Sequence, residues 1–203
     1  MRYELSDFEW AAIKPFLPNK PRGVPRVNDR RVLNGIFWVL RSGAPWRDLP
    51  ATYGPRATCY NRFVRWRRAG VWDQILDALA VGHDAAVQMI DTSVVNRLCS
   101  ALLSALLPQT MLLADRGYDA DWIRELARQK GAWANIPPKR NRKDPICFSP
   151  YLYRARNLIE RFFNKIKQCR RVATRYDKLA ANYLAFIKLA SIRIWLRANE
   201  STA

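Results

Sequence analysis

Three short apolar runs in the second half of the chain constrain its fold more than any other feature. They occupy residues 87–90, 111–114 and 132–136, and segments with helical spacing separate them. Short strands that alternate with helices are typical of a parallel sheet covered by helices. The pattern therefore predicts an α/β fold with a short parallel sheet in residues 85–203.

The first 84 residues follow a different pattern, in which turns interrupt the helical periodicity. Ser6 and Glu9 have the spacing of a capping box at the start of one helix. Gly43 is placed to end a second helix. Residues 55–69 predict a further helix with a strongly basic sequence. We expect residues 1–84 to be an all-helical region that resembles a helix-turn-helix domain.

The charge of the chain indicates a polyanionic partner. Thirty-five Lys and Arg residues against seventeen Asp and Glu residues give a formal net charge of +18. Such an excess favours nucleic acid as the partner. The four cysteines are far apart and the chain has a single histidine. The sequence therefore does not favour a structural zinc site, and its catalytic chemistry must rest on carboxylates.

Two basic clusters are candidate DNA contacts. The first lies in residues 55–69, and the second lies in the loop that follows the third apolar run. Most side chains of this kind contact phosphate rather than base edges. The alternative for the first cluster is a solvated basic helix that supports the core. The candidate DNA-binding residues are Arg62, Arg65, Arg67, Arg68, Lys139, Arg140, Arg142 and Lys143.

Three carboxylates are candidate metal ligands. Asp91 and Asp115 are each the first polar residue after an apolar run, and ligand sites of parallel sheets assemble at such strand ends. Glu160 stands among apolar neighbours, so we expect it to be half-buried and to need a cation partner. The alternatives are turn or capping roles for the two aspartates, and a salt bridge from Glu160 to Arg156 or Lys167 on the same helix.

The same region carries a family resemblance. A four-residue pattern with gaps of two, three and six residues matches the Y-R-E-K signature of bacterial insertion-sequence transposases of the DDE class. Residues 90–93 and 113–118 resemble the two aspartate motifs of that family. The four residues of the signature are Tyr153, Arg156, Glu160 and Lys167.

Other segments resemble one group within this family, which is named after insertion sequence five. Residues 133–139 and 157–167 are similar to catalytic segments of that group. Residues 49–50 and 62–68 are similar to its DNA-binding region. The resemblance covers nearly the whole chain.

The resemblance implies a DNA-binding domain in residues 1–84 and a ribonuclease-H-like catalytic domain in residues 85–203, which cuts and rejoins DNA at the ends of the element. It implies two Mg²⁺ or Mn²⁺ ions bound by the three candidate ligands, Asp91, Asp115 and Glu160. It also implies a set of residues that hold the DNA backbone near the scissile phosphate. These residues are Tyr153, Arg156 and Lys167.

The implied partner is double-stranded DNA, both the terminal repeats of the element and its target. The resemblance also implies a homo-oligomer on that DNA. Apolar stretches of the length that a membrane span needs are absent from the sequence. We therefore expect a cytoplasmic, nucleoid-associated protein without a membrane segment.

One interval departs from the family pattern. Asp91 and Asp115 are only 24 positions apart, which leaves room for a strand–helix–strand crossover but not for an additional outer hairpin. We interpret the chain as an internally deleted copy with a truncated ribonuclease-H-like domain, poor stability and weak or absent catalysis. The alternative is a catalytically inactive DNA-binding remnant that competes with full-length transposase at the element ends.

Overall fold

The computed structural model of the chain describes residues 4–18, 28–80, 87–89 and 106–200. The chain divides into two compact units. Residues 1–82 and 162–203 form one, the helical unit, and residues 83–161 form the other, the sheet unit. The first change of unit lies close to the predicted domain boundary, whereas residues 162–203 belong to the helical unit and not to the sheet unit as the predicted division implies. The assignment of DNA-binding and catalytic roles to these parts stays a prediction.

The N-terminal part of the helical unit confirms the predicted helices and caps. Ser6 Oγ accepts a hydrogen bond from the Glu9 backbone at 3.1 Å, and Glu9 Oε2 accepts one from the Ser6 backbone at 2.9 Å. These two bonds satisfy amides that the first helical turn leaves unpaired. The helices are α1 Asp7–Ile13, α2 Asp29–Ser42, α3 Arg56–Arg68 and α4 Val71–Ala80.

Glycine is required where α2 ends. Gly43 has a φ of +73°, in the left-handed region that L side chains rarely adopt. A Cβ built at this position meets the Cβ of Arg170 at 2.9 Å. The turn therefore needs glycine for both its backbone conformation and its close packing.

The last helix of the chain completes the core of the helical unit. Helix α9, Ala180–Glu200, packs against α4. The rings of Phe63 and Phe186 stack with their centroids 4.5 Å apart, and Trp66 meets Trp72 edge-on at 5.8 Å. Burial of large aromatic rings dominates core energetics. Residues on α9 therefore contribute to the same core as the N-terminal helices, which is why they do not form a unit with the sheet.

The sheet unit confirms the predicted parallel α/β arrangement. Its strands are β1 Val87–Met89, β2 Met111–Leu113 and β3 Trp133–Asn135, paired in the order β1-β2-β3 and all parallel. Helix α5, Asp121–Gln129, connects β2 to β3. The apolar sequence of residues 98–107 predicts a further helix, but this segment lies outside the described residues except for its last two positions, of which Leu106 is buried.

The segment after the sheet corrects one prediction. The sequence of residues 151–171 predicts one long helix, but the chain forms α6 Pro150–Tyr153, a 3₁₀ turn Arg154–Arg156, α7 Asn157–Lys167 and α8 Arg170–Ala173. The extended backbone of Cys169 separates the last two helices. Among the described residues, no helix has both the length and the apolar character needed to cross a membrane.

Candidate active site

The carboxylate of Asp115 lies at the carboxyl end of the central strand. Asp115 follows β2 by one residue and caps a 3₁₀ turn, Arg116–Tyr118, in which its Oδ1 accepts a hydrogen bond from the Gly117 backbone at 2.9 Å. Asp115 therefore has the capping role that the sequence analysis gave as an alternative. It uses one carboxylate oxygen and leaves Oδ2 facing Arg156.

Arg156 brings Asp115 and Glu160 to one place. Its Nη2 lies 3.8 Å from Asp115 Oδ2, and its Nη1 donates to Glu160 Oε1 at 3.2 Å. The second contact is the helical salt bridge that the sequence offered as an alternative role for Glu160. Two of the three candidate ligands thus converge on a single guanidinium group.

Glu160 is more exposed than its apolar neighbours in the sequence suggest. Its side chain is 54% exposed, because neighbours that the sequence suggests are buried, such as Leu158, are themselves exposed. Only Ile166 of α7 is fully buried. The apolar residues around Glu160 therefore do not form a closed wall about it.

Tyr153 lies next to the same arginine. The guanidinium of Arg156 sits 6.0 Å from the centre of the Tyr153 ring, and Phe148 meets that ring edge-on at 5.5 Å. Asp115, Phe148 and Tyr153 line a hollow of about 540 Å³. Of the remaining candidate site residues, Asp91 lies outside the described residues, and Lys167 is exposed at the end of α7, within the helical unit.

The donor set of this site suits a hard divalent cation. Asp115 and Glu160 offer only oxygen atoms, which Mg²⁺ and Mn²⁺ prefer. The Arg156 guanidinium now takes the place between the two carboxylates that a metal ion would take. Among the described residues, no group of three or more His, Cys, Asp or Glu side chains is arranged to hold a metal, and the predicted third ligand is not among them.

A buried asparagine that the sequence reasoning missed fixes the helix that follows. Asn135, at the end of β3, is fully buried. Its Oδ1 accepts from the Ser149 backbone at 2.8 Å, and its Nδ2 donates to the Ser149 carbonyl at 3.1 Å. Ser149 in turn caps α6. The detectable signal was a lone amide in an otherwise apolar strand, because buried polar groups are nearly always paired.

Asp119 is a second residue that the sequence reasoning passed over. It is buried and accepts hydrogen bonds from Arg124 Nε at 2.9 Å, Arg142 Nε at 2.9 Å and the Lys139 backbone at 2.7 Å. Burial alone raises the pKa of this carboxyl, but the hydrogen bonds from Arg142, Lys139 and Arg124 outweigh it and lower the pKa to about 2. Asp119 therefore stays ionised and ties the loop after β3 to the start of α5.

The loop arginine Arg142 has a different setting from its basic neighbours. Its guanidinium contacts Asp119 and, at 2.7 Å, Asp121. Lys139, Arg140 and Lys143 are exposed. The structure thus gives Arg142 an internal role in the loop and leaves the three neighbours at the surface, where the predicted DNA contact stays untested.

The arginines of α3 also form two groups, one with partners inside the protein and one at the surface. Arg62 Nη1 lies 2.5 Å from Asp29 Oδ1, and Arg67 donates to Asn182 on α9. Arg65 and Arg68 are exposed and border a shallow surface with Tyr60, Asn61 and Val64. The supporting role considered for this basic helix therefore fits two of the four arginines, and the surface role fits the other two.

Comparisons with known proteins match two separate segments of the chain. Residues 5–76 match a family described as "Putative transposase of IS4/5 family", and residues 112–197 match the family "Transposase DDE domain". The chain belongs to the insertion-sequence transposases. The second match includes Asp115 and Glu160, so both carboxylates of the candidate site lie in the segment of the transposase domain.

Individual relatives agree with this membership. A "Putative transposase for insertion sequence element IS6501" from Brucella ovis is 39% identical over 99 residues, which cover 48% of this chain and 76% of that protein. An uncharacterised protein of Sinorhizobium fredii is 39% identical over 94 residues, covering 45% and 75% of the two chains. An uncharacterised protein of insertion element IS402 from Burkholderia cepacia is 41% identical over 93 residues, covering 42% and 63%. No solved structure matches the chain significantly.

Proposed function

We propose that this transposase binds double-stranded DNA at the ends of its insertion sequence and breaks and joins strands at a site built on Asp115 and Glu160. The observation that carries the proposal is their convergence on Arg156, at 3.8 and 3.2 Å. Asp91 is proposed as the third ligand. We further propose that the chain acts as a homo-oligomer on DNA at the nucleoid, and that the short interval before Asp115 weakens catalysis.

The proposed chemistry assigns one task to each side chain. Two Mg²⁺ or Mn²⁺ ions, when bound, would activate the attacking oxygen and stabilise the leaving oxygen of an in-line phosphoryl displacement. Asp115 Oδ2 and the Glu160 carboxylate would hold them. Arg156, once released from the carboxylates, has the planar fork that binds a phosphate in two hydrogen bonds. Tyr153 borders the hollow beside this fork and limits where the DNA backbone lies.

The proposed DNA-binding face is the exposed side of α3. Arg65 and Arg68 have no described acidic partner comparable to that of Arg62, and they point to the surface with Asn61. A cation that contacts a phosphate releases counterions, so each such contact steepens the salt dependence of binding. We expect the variants Arg65→Gln and Arg68→Gln each to lower the slope of log K against log salt by about one.

The decisive experiment is strand cleavage on a plasmid that carries this reading frame with its native flanking DNA. We expect cleavage at the element ends in Mg²⁺ or Mn²⁺, and a loss of more than about a hundredfold in Asp115→Asn and in Glu160→Gln. Glu125→Gln is the matched control. It removes an exposed carboxylate from the same unit, one that pairs with Arg128 on its own helix.

Two results would contradict the proposal in different ways. If the wild-type chain binds the flanking DNA but does not cut it with either metal, the chain is the inactive DNA-binding remnant considered above. If cleavage occurs and the Asp115 and Glu160 variants cut as well as the Glu125 control, the active site lies elsewhere.

A further inference from the structure

Positively charged side chains line a groove in the helical unit that does not involve α3. It has a volume of about 550 Å³, and its apolar floor includes Phe37, Leu40, Ala190 and Ile194. Around this floor stand four cationic side chains from α2, α7 and α9. They are Arg41, Lys165, Arg193 and Arg197. We name this feature the basic groove.

The acids near the basic groove do not balance these cations. Glu9 is buried and lies 3.0 Å from Arg193 Nε and 3.6 Å from Arg197 Nε. Glu200 is the other carboxylate close enough to act on Arg193. Burial and the neighbouring charge of Arg197 both lower the pKa of Arg193, against the opposing effect of Glu9. Four cations thus face two carboxylates in a partly enclosed space, where low-dielectric walls focus the field.

The cations differ in how firmly they are held. Arg193 donates to the Glu4 carbonyl at 2.6 Å and lies over the Phe37 ring at 4.9 Å. Arg41 donates to Gln168 Oε1 at 3.3 Å. Lys165 is exposed, and the side chain of Arg197 is 59% exposed. The groove therefore combines a fixed charge at its base with long, adaptable cations at its rim.

We propose that the basic groove binds a backbone phosphate of DNA as a second contact region, separate from α3. This inference rests on the proposed function, because DNA is the polyanion on which a transposase acts. Exposed arginine and lysine at the rim suit the charge of a phosphodiester, and the apolar floor suits the adjoining sugar. From Asn182, which contacts Arg67 of α3, to Arg197 the axis of α9 rises by about 22 Å. The two regions are therefore far enough apart to contact different phosphates.

Cys169 supplies a local test, because its half-buried thiol lines the basic groove. The experiment measures alkylation of this thiol by iodoacetamide in the full-length chain, with peptides quantified by mass spectrometry. We expect duplex DNA of the native flanking sequence, at about ten times its Kd, to slow alkylation about tenfold. Inorganic phosphate at the same ionic strength is the second arm, and we expect it to give no comparable protection. Protection of Cys169 by inorganic phosphate but not by DNA would overturn the proposal and would indicate a site for a free anion.

Charge variants supply the second measurement. We expect Arg197→Gln and Lys165→Gln each to lower the salt slope of DNA binding by about one and to reduce the protection of Cys169. Arg47→Gln is the matched control, since it removes a 76% exposed arginine from the same unit outside the groove. Another outcome is that DNA binding depends on Arg65 and Arg68 while Cys169 stays unprotected and the Arg197 and Lys165 variants keep the wild-type salt slope. In that case the groove proposal fails and the proposed function stands. Absence of any DNA binding would overturn both.

Discussion

The charge of Asp119 is expected to contribute about 2 kcal/mol to the stability of the sheet unit. The pKa of this carboxyl falls from an ordinary value of 3.8 to about 2 in the folded chain. A difference of this size corresponds to about 2 kcal/mol of free energy of unfolding. Because the folded-state pKa is the lower one, this contribution is complete above pH 4 and is lost as the pH falls from about 4 to 2.

The perturbation is Asp119→Asn, which keeps the shape of the side chain and removes its charge. Urea unfolding followed by circular dichroism should give a free energy of unfolding about 2 kcal/mol below wild type at pH 6. At pH 2 the two proteins should differ much less. Asp121→Asn is the control, since Asp121 pairs with the same Arg142 but is 88% exposed. It should cost less than about 1 kcal/mol.

Two results would refute this account of the Asp119 charge. If Asp119→Asn and Asp121→Asn lower the free energy of unfolding equally, burial and the arginine contacts do not explain how much the Asp119 charge contributes to stability. If the difference between wild type and Asp119→Asn is the same at pH 6 and pH 2, the carboxylate is not the source of the loss.

Three further predictions concern other contacts. Asn135→Leu leaves the Ser149 amide without its partner and should lower the free energy of unfolding by about 1–3 kcal/mol in urea titrations; an unchanged midpoint would contradict the pairing. Ser6→Ala removes the cap of α1 and should lower the free energy of unfolding by about 1 kcal/mol. A higher midpoint in thermal unfolding would show that the capping box does not stabilise the protein. Arg156→Gln removes the cation that competes for the two carboxylates, so calorimetry should show Mn²⁺ binding roughly tenfold tighter, and weaker binding would mean that the arginine assembles the site.

The elements that sequence predicts best here are those set by local patterns. The capping box and the three strands depend on neighbouring residues and on short apolar runs, and the structure has them where the sequence predicts them. The aspartate at the end of β2 follows from the same local rule, that polar side chains gather at the carboxyl ends of parallel strands. Its convergence with Glu160 followed from the family resemblance and not from periodicity.

The features that sequence missed depend on partners that are distant along the chain. An apolar stripe shows that α9 has a buried side, but not that Phe186 stacks on Phe63. A basic segment predicts charge at the surface, but not that Arg142 turns to Asp119 while Lys143 does not. The exposure of Glu160 has the same origin. Apolar neighbours bury a carboxylate only when another element covers them.

The composition of the helical unit also sets an order for its biosynthesis. Its core includes residues that precede and residues that follow the sheet unit in the sequence, so the stretch that forms the sheet unit leaves the ribosome between them. While that stretch is being made, Phe63 and its aromatic neighbours have no Phe186 to cover them. Emergence of α9, rather than of the first 82 residues, is the step that allows this core to close. A nascent or prematurely terminated chain would therefore expose apolar surface and become a client for chaperones and proteases.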